Sequence, residues 1–370
     1  MGFSDFLGNE PAVRHLRESI ASDRFPQSLI IAGPRGAGKY TLAIMLAQAV
    51  NCLDPAELKS RENGSLPDFC GVCRNCARIA ESAPLDERVA EAIAAREDLR
   101  EADKKDTRIL IQTHPDVLVV PPDPPQLLIK LGQVRRVIRD IYRLPAEARR
   151  AFYIFTSSAF MKEAANSLLK ALEEPPEFAS IFLLAENPGE LLATIRSRAG
   201  LVRLGALPLE TIEKLLAERR TDWNPAQRSL VARLAEGAAG RALGFDLEGH
   251  LASRIDALVI LRGAIGESDH STLFRMTETY RAGAEGQEKT SNLIRALNSL
   301  LEDMMLLQSG AIGLTRNIDM APELTRMAQS VNFSWIEAAA RGIGQVQSGM
   351  RRNLLRSLAL DSFATELSQN

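Results

Sequence analysis

Apolar residues come as short unbroken runs through the first half of this chain and as helical stripes through the second. Ser28-Leu29-Ile30-Ile31-Ala32 is one such run, and it ends at the glycine-rich stretch Gly33 to Lys39. A run this short, bounded by glycine, predicts a strand covered on both faces, and Tyr40 to Val50 follows as a helical stretch. Asp116 to Val120, Ala151 to Phe155 and Ile181 to Leu184 repeat the pattern, separated by segments of helical period. Strands that alternate with helices imply a parallel sheet with helices on its faces, so residues 1–205 read as one α/β domain.

Arg78 to Arg108 is dense in Ala, Glu, Arg and Asp. That composition favours solvated helix over core and marks an inserted surface excursion. After Leu207-Pro208 strand-like alternation stops and amphipathic helical stretches continue to the end. We divide this remainder into a small helical unit, 206–248, and a larger one, 249–370. Gly237-Ala238-Ala239-Gly240 is read as a turn before the second of them. No internal repeat or low-complexity linker interrupts the chain.

Composition narrows the picture. The chain has 370 residues, 45% of them apolar and 25% charged, with a formal net charge of −2. Such values describe a soluble globular protein of two or three domains and exclude a disordered or collagenous one. Because 45 basic and 47 acidic residues nearly cancel, contact with DNA is expected from local patches or partner subunits. A stand-alone zinc-containing nucleic-acid module would need basic and aromatic stripes, and only 5% of residues are aromatic. The N-terminal residues have no basic stretch leading into an apolar run, and no later segment is long enough to span a bilayer, so the expected location is the cytoplasm. Leu7 stands where a myristoylation motif wants Ser or Thr.

Gly33 to Lys39 fits G-x-x-x-x-G-K. In that loop Gly33, Gly36 and Gly38 let backbone N–H groups face a phosphate, and Lys39 adds a charge at the helix N-terminus. Tyr40, however, occupies the place of the Ser or Thr whose hydroxyl reaches Mg²⁺. Thr41 is one residue late, and one helical step turns its side chain by about a hundred degrees. The metal also needs an acid at the end of a later strand, yet Thr156-Ser157-Ser158 follows Ala151 to Phe155. Two parts of the metal chemistry are therefore missing, which leaves the loop able at most to hold a phosphate.

The four cysteines, Cys52, Cys70, Cys73 and Cys76, contain two overlapping C-x-x-C steps. In a reducing compartment this favours one closed, structural Zn²⁺ over a disulfide framework. Metal-free thiols and an iron–sulfur cluster are the alternatives. His15, His114, His250 and His270 are scattered without ligand spacing, and His114-Pro115-Asp116 reads as a turn.

The string Asn166-Ser167-Leu168-Leu169-Lys170-Ala171-Leu172-Glu173-Glu174-Pro175-Pro176 resembles a signature of bacterial DNA polymerase III clamp-loader subunits. Phe3-Ser4-Asp5-Phe6-Leu7-Gly8-Asn9-Glu10, the phosphate loop, the cysteine cluster and His114-Pro115-Asp116 occur in that family's order. The resemblance implies an AAA+ α/β domain with the cysteine insertion at about 52–76, a helical lid and a helical collar. Thr194-Ile195-Arg196-Ser197-Arg198-Ala199 is similar to the family's S-R-C motif, with Ala199 in place of the cysteine. By resemblance, Ser197 and Arg198 take the role of a motif whose arginine reaches the ATP of the adjacent subunit. Arg241, in Gly240-Arg241-Ala242-Leu243, falls near a second nucleotide-sensing arginine.

Gamma/tau subunits of the family keep both parts of the metal chemistry, so the departures at Tyr40, Thr156 and Ser157 select the delta-prime type. This implies a subunit without ATPase activity of its own, whose nucleotide-binding positions Gly33, Gly36, Gly38, Lys39, Thr41 and Arg241 are vestigial. Its implied partners are gamma/tau and delta in a hetero-pentamer that places a sliding clamp on primed DNA, within the DNA-directed DNA polymerase holoenzyme. An ATP-hydrolysing gamma/tau-type motor is the alternative, and the metal-site residues distinguish the two.

Overall fold

A computed structural model describes residues 2–54, 66–266, 271–280, 283–351 and 355–368. The predicted insertion at 52–76 thus includes residues 55–65, which lie outside the described residues, as does His270. Two compact units result, one of Met1–Pro208 with Gly237–Arg241 and one of Leu209–Glu236 with Ala242–Asn370.

The first unit is built on a six-stranded sheet. In chain order its strands are β1 (Ser28–Ala32), β2 (Ile111–His114), β3 (Val117–Val120), β4 (Ala151–Phe155), β5 (Ala179–Ala185) and β6 (Gly200–Arg203). They lie side by side as β2-β3-β4-β5-β1-β6, and all neighbours are parallel except β2 and β3. The expected α/β architecture is therefore present, with two edge strands added to the four runs read from sequence: antiparallel β2, just beyond the charged excursion, and parallel β6 at the other edge. The β2–β3 hairpin turns at His114-Pro115-Asp116. His114 is buried, its Nδ1 accepts the Asp116 N–H at 3.1 Å, and burial holds its pKa below the ordinary histidine value.

Continuous apolar runs are required here because both faces are covered. Leu29, Ile31, Phe152, Ile154, Phe182 and Leu184 point to one face. Their neighbours Ile30, Tyr153, Phe155, Ile181 and Leu183 point to the other, as the two-residue period of a strand dictates. On the first face pack α1 (Glu10–Ala21), α2 (Lys39–Asn51) and α3 (Arg74–Ala80). Phe25, Phe152 and Phe182 meet there with ring centroids 5.3–6.0 Å apart. Each such ring contributes roughly 1.5–3 kcal/mol by leaving water. The charged excursion forms α4 (Leu85–Glu97) and α5 (Glu101–Asp106), and α4 buries none of its residues. Arg96 nevertheless anchors it, pairing with the fully buried Asp123 at 2.5 Å. The second face carries α6 (Leu131–Asp140), α7 (Lys162–Glu173) and the short α8 (Ala193–Arg196).

The second unit is helical among its described residues. It comprises α9 (Leu209–Arg219), α10 (Pro225–Leu234), α12 (Leu247–Ile265), α13 (Ser271–Thr277), α14 (Gly283–Gln308), α15 (Ala321–Ser330), α16 (Phe333–Arg351) and α17 (Arg356–Leu367), while α11 (Ala239–Leu243) straddles the boundary. Its core gathers Leu258, Leu261, Leu297, Leu300, Trp335 and Phe363. Gly237-Ala238-Ala239-Gly240, read from sequence as a turn, and Arg241 after it group with the α/β unit. The Leu207 N–H donates to the Gly237 carbonyl at 2.8 Å, and Gly237 takes φ +76°, a conformation suited to glycine. No helix among the described residues is long and apolar enough to cross a membrane.

Candidate functional site

Parallel strands bring the carboxyl ends of β1, β4 and β5 to one edge of the sheet, where open α/β sheets place their ligands. Gly33–Gly38 leaves β1 at that edge and runs into α2. Gly36 (φ +83°) and Gly38 (φ +86°) are both left-handed, as the loop's tight curl demands. The Gly240 N–H donates to the Gly36 carbonyl at 2.8 Å, and a Cβ on Gly36 would come within 2.5 Å of the Arg241 backbone nitrogen. Lys39 turns back on its own loop, donating from Nζ to the carbonyls of Gly33 (2.5 Å) and Pro34 (2.9 Å). Burial holds its pKa below the ordinary lysine value, with Glu186 and Glu190 pulling the other way. A phosphate would have to draw the ammonium off both carbonyls and accept two carboxylates nearby.

At the position of the metal-binding hydroxyl, the Tyr40 phenol donates to the Ser82 carbonyl at 2.7 Å, away from the loop. Thr41 is exposed on α2. Beyond β4, Thr156 donates its N–H to the Val120 carbonyl, the Ser157 hydroxyl accepts the Ala159 N–H, and the Ser158 hydroxyl donates to Glu190. None of these three residues is an acid. The acids whose charge reaches Lys39 follow β5 instead.

Cys52 directly follows α2, so the cysteine cluster stands at the far end of the phosphate-loop helix, about 20 Å from the loop for thirteen residues at 1.5 Å each. Gly71 (φ +74°) makes the sharp turn inside Cys70-Gly71-Val72-Cys73, and Cys73 caps α3, its sulfur accepting the Cys76 N–H at 3.5 Å. The four sulfurs lie within 4.8 Å of one another, with Cys52 Sγ and Cys70 Sγ 3.6 Å apart. Tetrahedral Zn–S bonds of about 2.3 Å would separate sulfurs by roughly 3.8 Å, whereas a disulfide needs about 2.05 Å. The geometry fits a closed four-thiolate metal site. Further N–H donors point at sulfur: Cys70 to Cys52 at 3.4 Å, Cys73 to Cys70 at 3.3 Å and Leu53 to Cys73 at 3.5 Å.

Cys52 and Cys76 are fully buried, and burial pushes both thiols up. Burial pushes Cys73 up too, but N–H donation from Leu53 and Cys76 and contact with its neighbouring thiols outweigh it and bring the group down to about 7. A divalent cation would supply the positive charge that ionising all four requires. The chain entering the cluster is pinned by the N-terminal segment. Phe3 donates its N–H to Asp68, stacks edge-on against Phe69 at 5.8 Å, and lies under Arg17, which donates to the carbonyls of Leu66 and Pro67.

Arg198 is exposed just past α8. Its Nε and Nη2 reach Glu173 Oε1 at 3.0 and 2.8 Å, and its Nη1 donates to the Thr194 carbonyl at 2.8 Å and the Ser197 hydroxyl at 3.2 Å. Ser197 and Arg241 are exposed.

Of the residues singled out in sequence, the structure gathers the four cysteines at one site and Gly33, Gly36, Gly38, Lys39 and Arg241 at another, and it holds Arg198 and Ser197 together by hydrogen bond. Sequence reasoning missed Glu173, Glu186, Glu190, Ser82 and a set of buried amides. Glu173 alone had a local signal, its place in the Leu-Glu-Glu-Pro-Pro string.

A model of the family described as DNA polymerase III, delta subunit, matches residues 8–208. The chain is 30% identical to DNA polymerase III subunit delta' of Bacillus subtilis (strain 168) over 225 residues, 60% of this chain and 55% of that protein. It is 29% identical to DNA polymerase III subunit tau of Escherichia coli (strain K12) over 246 residues, 65% of this chain and 32% of that one. Identity to the tau subunit of Salmonella typhimurium is 26% over 346 residues, 92% of this chain and 41% of the relative. The chain thus spans between 32% and 55% of the length of these three relatives.

Proposed function

The chain belongs to the DNA polymerase III delta-subunit family, whose model spans residues 8–208, and from that premise we propose that it is a delta-prime-type clamp-loader subunit. It hydrolyses little or no ATP itself and works in the cytoplasm beside gamma/tau and delta subunits in a hetero-pentamer that sets a sliding clamp on primed DNA. One observation carries this reading. At the two positions where hydrolysis needs metal chemistry, Tyr40 is committed to Ser82 and β4 ends in Thr156-Ser157.

Arg198 is the residue we assign to the neighbour's ATP, with Ser197 beside it. A guanidinium presents planar paired donors to phosphate oxygens as charge develops. Cys52, Cys70, Cys73 and Cys76 are assigned a structural Zn²⁺, which when bound holds four thiolates in one tetrahedron and leaves no open position for chemistry. Residues 206–248 and 249–370 are assigned as lid and collar.

Reconstitution tests the reading. Purified chain alone should show no DNA-stimulated ATP turnover, while adding it to gamma/tau and delta should complete a complex that loads clamps. The curated tau relatives favour a second reading, an ATP-hydrolysing motor. Turnover by the isolated chain that disappears in Lys39→Ala would establish that reading and overturn the first.

A further inference from the structure

Three amide side chains lie buried beside the cysteine cluster, and neither the phosphate loop nor Arg198 uses them. Asn51 and Asn75 are fully enclosed and Gln48 is 5% exposed. Burying an amide is unfavourable unless its hydrogen bonds are remade, so their partners reveal what they hold. Asn51 Oδ1 accepts the backbone N–H groups of Arg149 and Arg150, both at 3.1 Å, and its Nδ2 donates to the Arg150 carbonyl at 3.0 Å. The Asn51 carbonyl accepts from Asn75 Nδ2 at 3.1 Å, and Gln48 Nε2 donates to the Cys76 carbonyl at 2.9 Å. Arg149 Nη2 completes the ring of contacts by donating to the Cys52 carbonyl at 2.8 Å.

The two asparagines each stand one residue before a cysteine, and those are the two buried ones, Cys52 and Cys76. Backbone N–H donors reach the sulfurs of Cys52, Cys70 and Cys73 alike, but only the half-buried Cys70 and Cys73 have no buried amide beside them in the chain. The cluster therefore has an inner pair braced by side chains and an outer pair set by the turn at Gly71. The brace joins three elements, the end of α2, the first turn of α3 and the approach to β4, which sequence separates by up to 99 positions.

We propose that Asn51 is the positioning residue of the cysteine metal centre: with Asn75 it fixes the Cys52 and Cys76 sulfurs relative to each other before a thiophilic divalent cation binds. This rests on reading the four cysteines as a metal centre. Preorganised ligands lose less freedom on binding, and removing such outer support commonly weakens metal binding about ten- to a hundredfold. A role confined to folding would differ in kind, because apo and metal-loaded protein would lose stability equally and the metal affinity would not move.

The test uses the full chain with Co²⁺ and Zn²⁺ as probes, in the wild type, Asn51→Ala and Asn75→Ala. Chelator competition should give dissociation constants raised about ten- to a hundredfold in Asn51→Ala and by less in Asn75→Ala. The thiolate-to-Co²⁺ charge-transfer band should shift in position, and the rise in melting temperature on adding metal should shrink. Should Asn51→Ala fail to fold, Asn75→Ala, which removes a single bond to the Asn51 carbonyl, tests the same relation. Wild-type affinity, an unmoved band and an undiminished metal-induced rise in both variants would overturn the brace. A wild type that binds neither ion would overturn the metal centre itself, and the brace with it.

Discussion

Tyr40 donates its phenolic hydroxyl to the carbonyl of Ser82 at 2.7 Å, so the residue in the place of a metal-binding hydroxyl joins the start of α2 to the segment after α3. Ser82 is 1% exposed, and its carbonyl would be left unpaired without the phenol. Tyr40→Phe should therefore cost about 1–3 kcal/mol in denaturant unfolding. Tyr40→Thr should cost more, through the cavity, and still show no ATP turnover, because the end of β4 remains without an acid. Turnover in that variant would show that one missing hydroxyl was the only defect.

Burial pushes the Tyr40 hydroxyl up to about 12 from its ordinary value of 10. Between these values the folded chain keeps a proton that the unfolded chain has released, so stability is full below pH ~10 and falls as pH rises toward ~12. Tyr153 and Tyr280, also raised by burial, add to the same decline. Stability measured across this range should fall less steeply in Tyr40→Phe than in the wild type.

Arg198 and Glu173 form a solvent-facing pair, of a kind worth under about 1 kcal/mol to folding. Arg198→Ala should accordingly melt and assemble like the wild type. In the reconstituted complex it should depress clamp- and DNA-stimulated ATP hydrolysis by about tenfold or more, below the full value of an arginine finger because other sites keep working. Arg198→Lys should recover little, since an ammonium lacks the planar fork. Unchanged hydrolysis in Arg198→Ala would return the residue to an ordinary surface charge.

Elemental analysis of untagged protein should find about one Zn²⁺ per chain, and Cys73→Ser should lose it. Far-UV circular dichroism should nevertheless keep the sheet signal, because the strands are held by their own ladders and by Phe152, Phe182 and their neighbours, while Cys73 only borders that core. Global unfolding of Cys73→Ser would tie the whole unit to the metal.

Gly36→Ala probes the phosphate loop by strain alone. A methyl at φ +83° and 2.5 Å from the Arg241 nitrogen forces the 237–241 segment to move, at a cost of about 1–3 kcal/mol in thermal unfolding. Stability equal to the wild type would mean that Gly240 and Gly36 are not held together in solution.

Much of the sheet is legible in the sequence, because a strand covered on both faces writes itself as an uninterrupted apolar run. Ser28–Ala32 and Ala151–Phe155 are such runs, and their limits in the structure coincide with those in sequence. β2 escaped because Ile111–His114 is a four-residue edge strand with an exposed Gln112, and it follows charged helices that set no pattern to break. The cysteines were legible from spacing, but the amides behind them were not, since a buried Asn looks in sequence like any turn residue. Glu186 and Glu190 were equally silent. Their nearness to Lys39 comes from β5 lying next to β1, a pairing of positions some 150 residues apart.

The grouping of Gly237–Arg241 with the α/β unit means that the chain leaves that unit at Pro208, returns for five residues and leaves again. No single cut therefore separates the two units cleanly. A fragment ending at Pro208 would carry every strand yet leave the Gly36 carbonyl without its Gly240 donor and the Leu207 N–H without its Gly237 acceptor. Dissection of this protein needs a graft: residues 237–241 carried onto the fragment by a short linker, or supplied as a separate peptide, which the truncated unit would bind as the missing piece of its own surface.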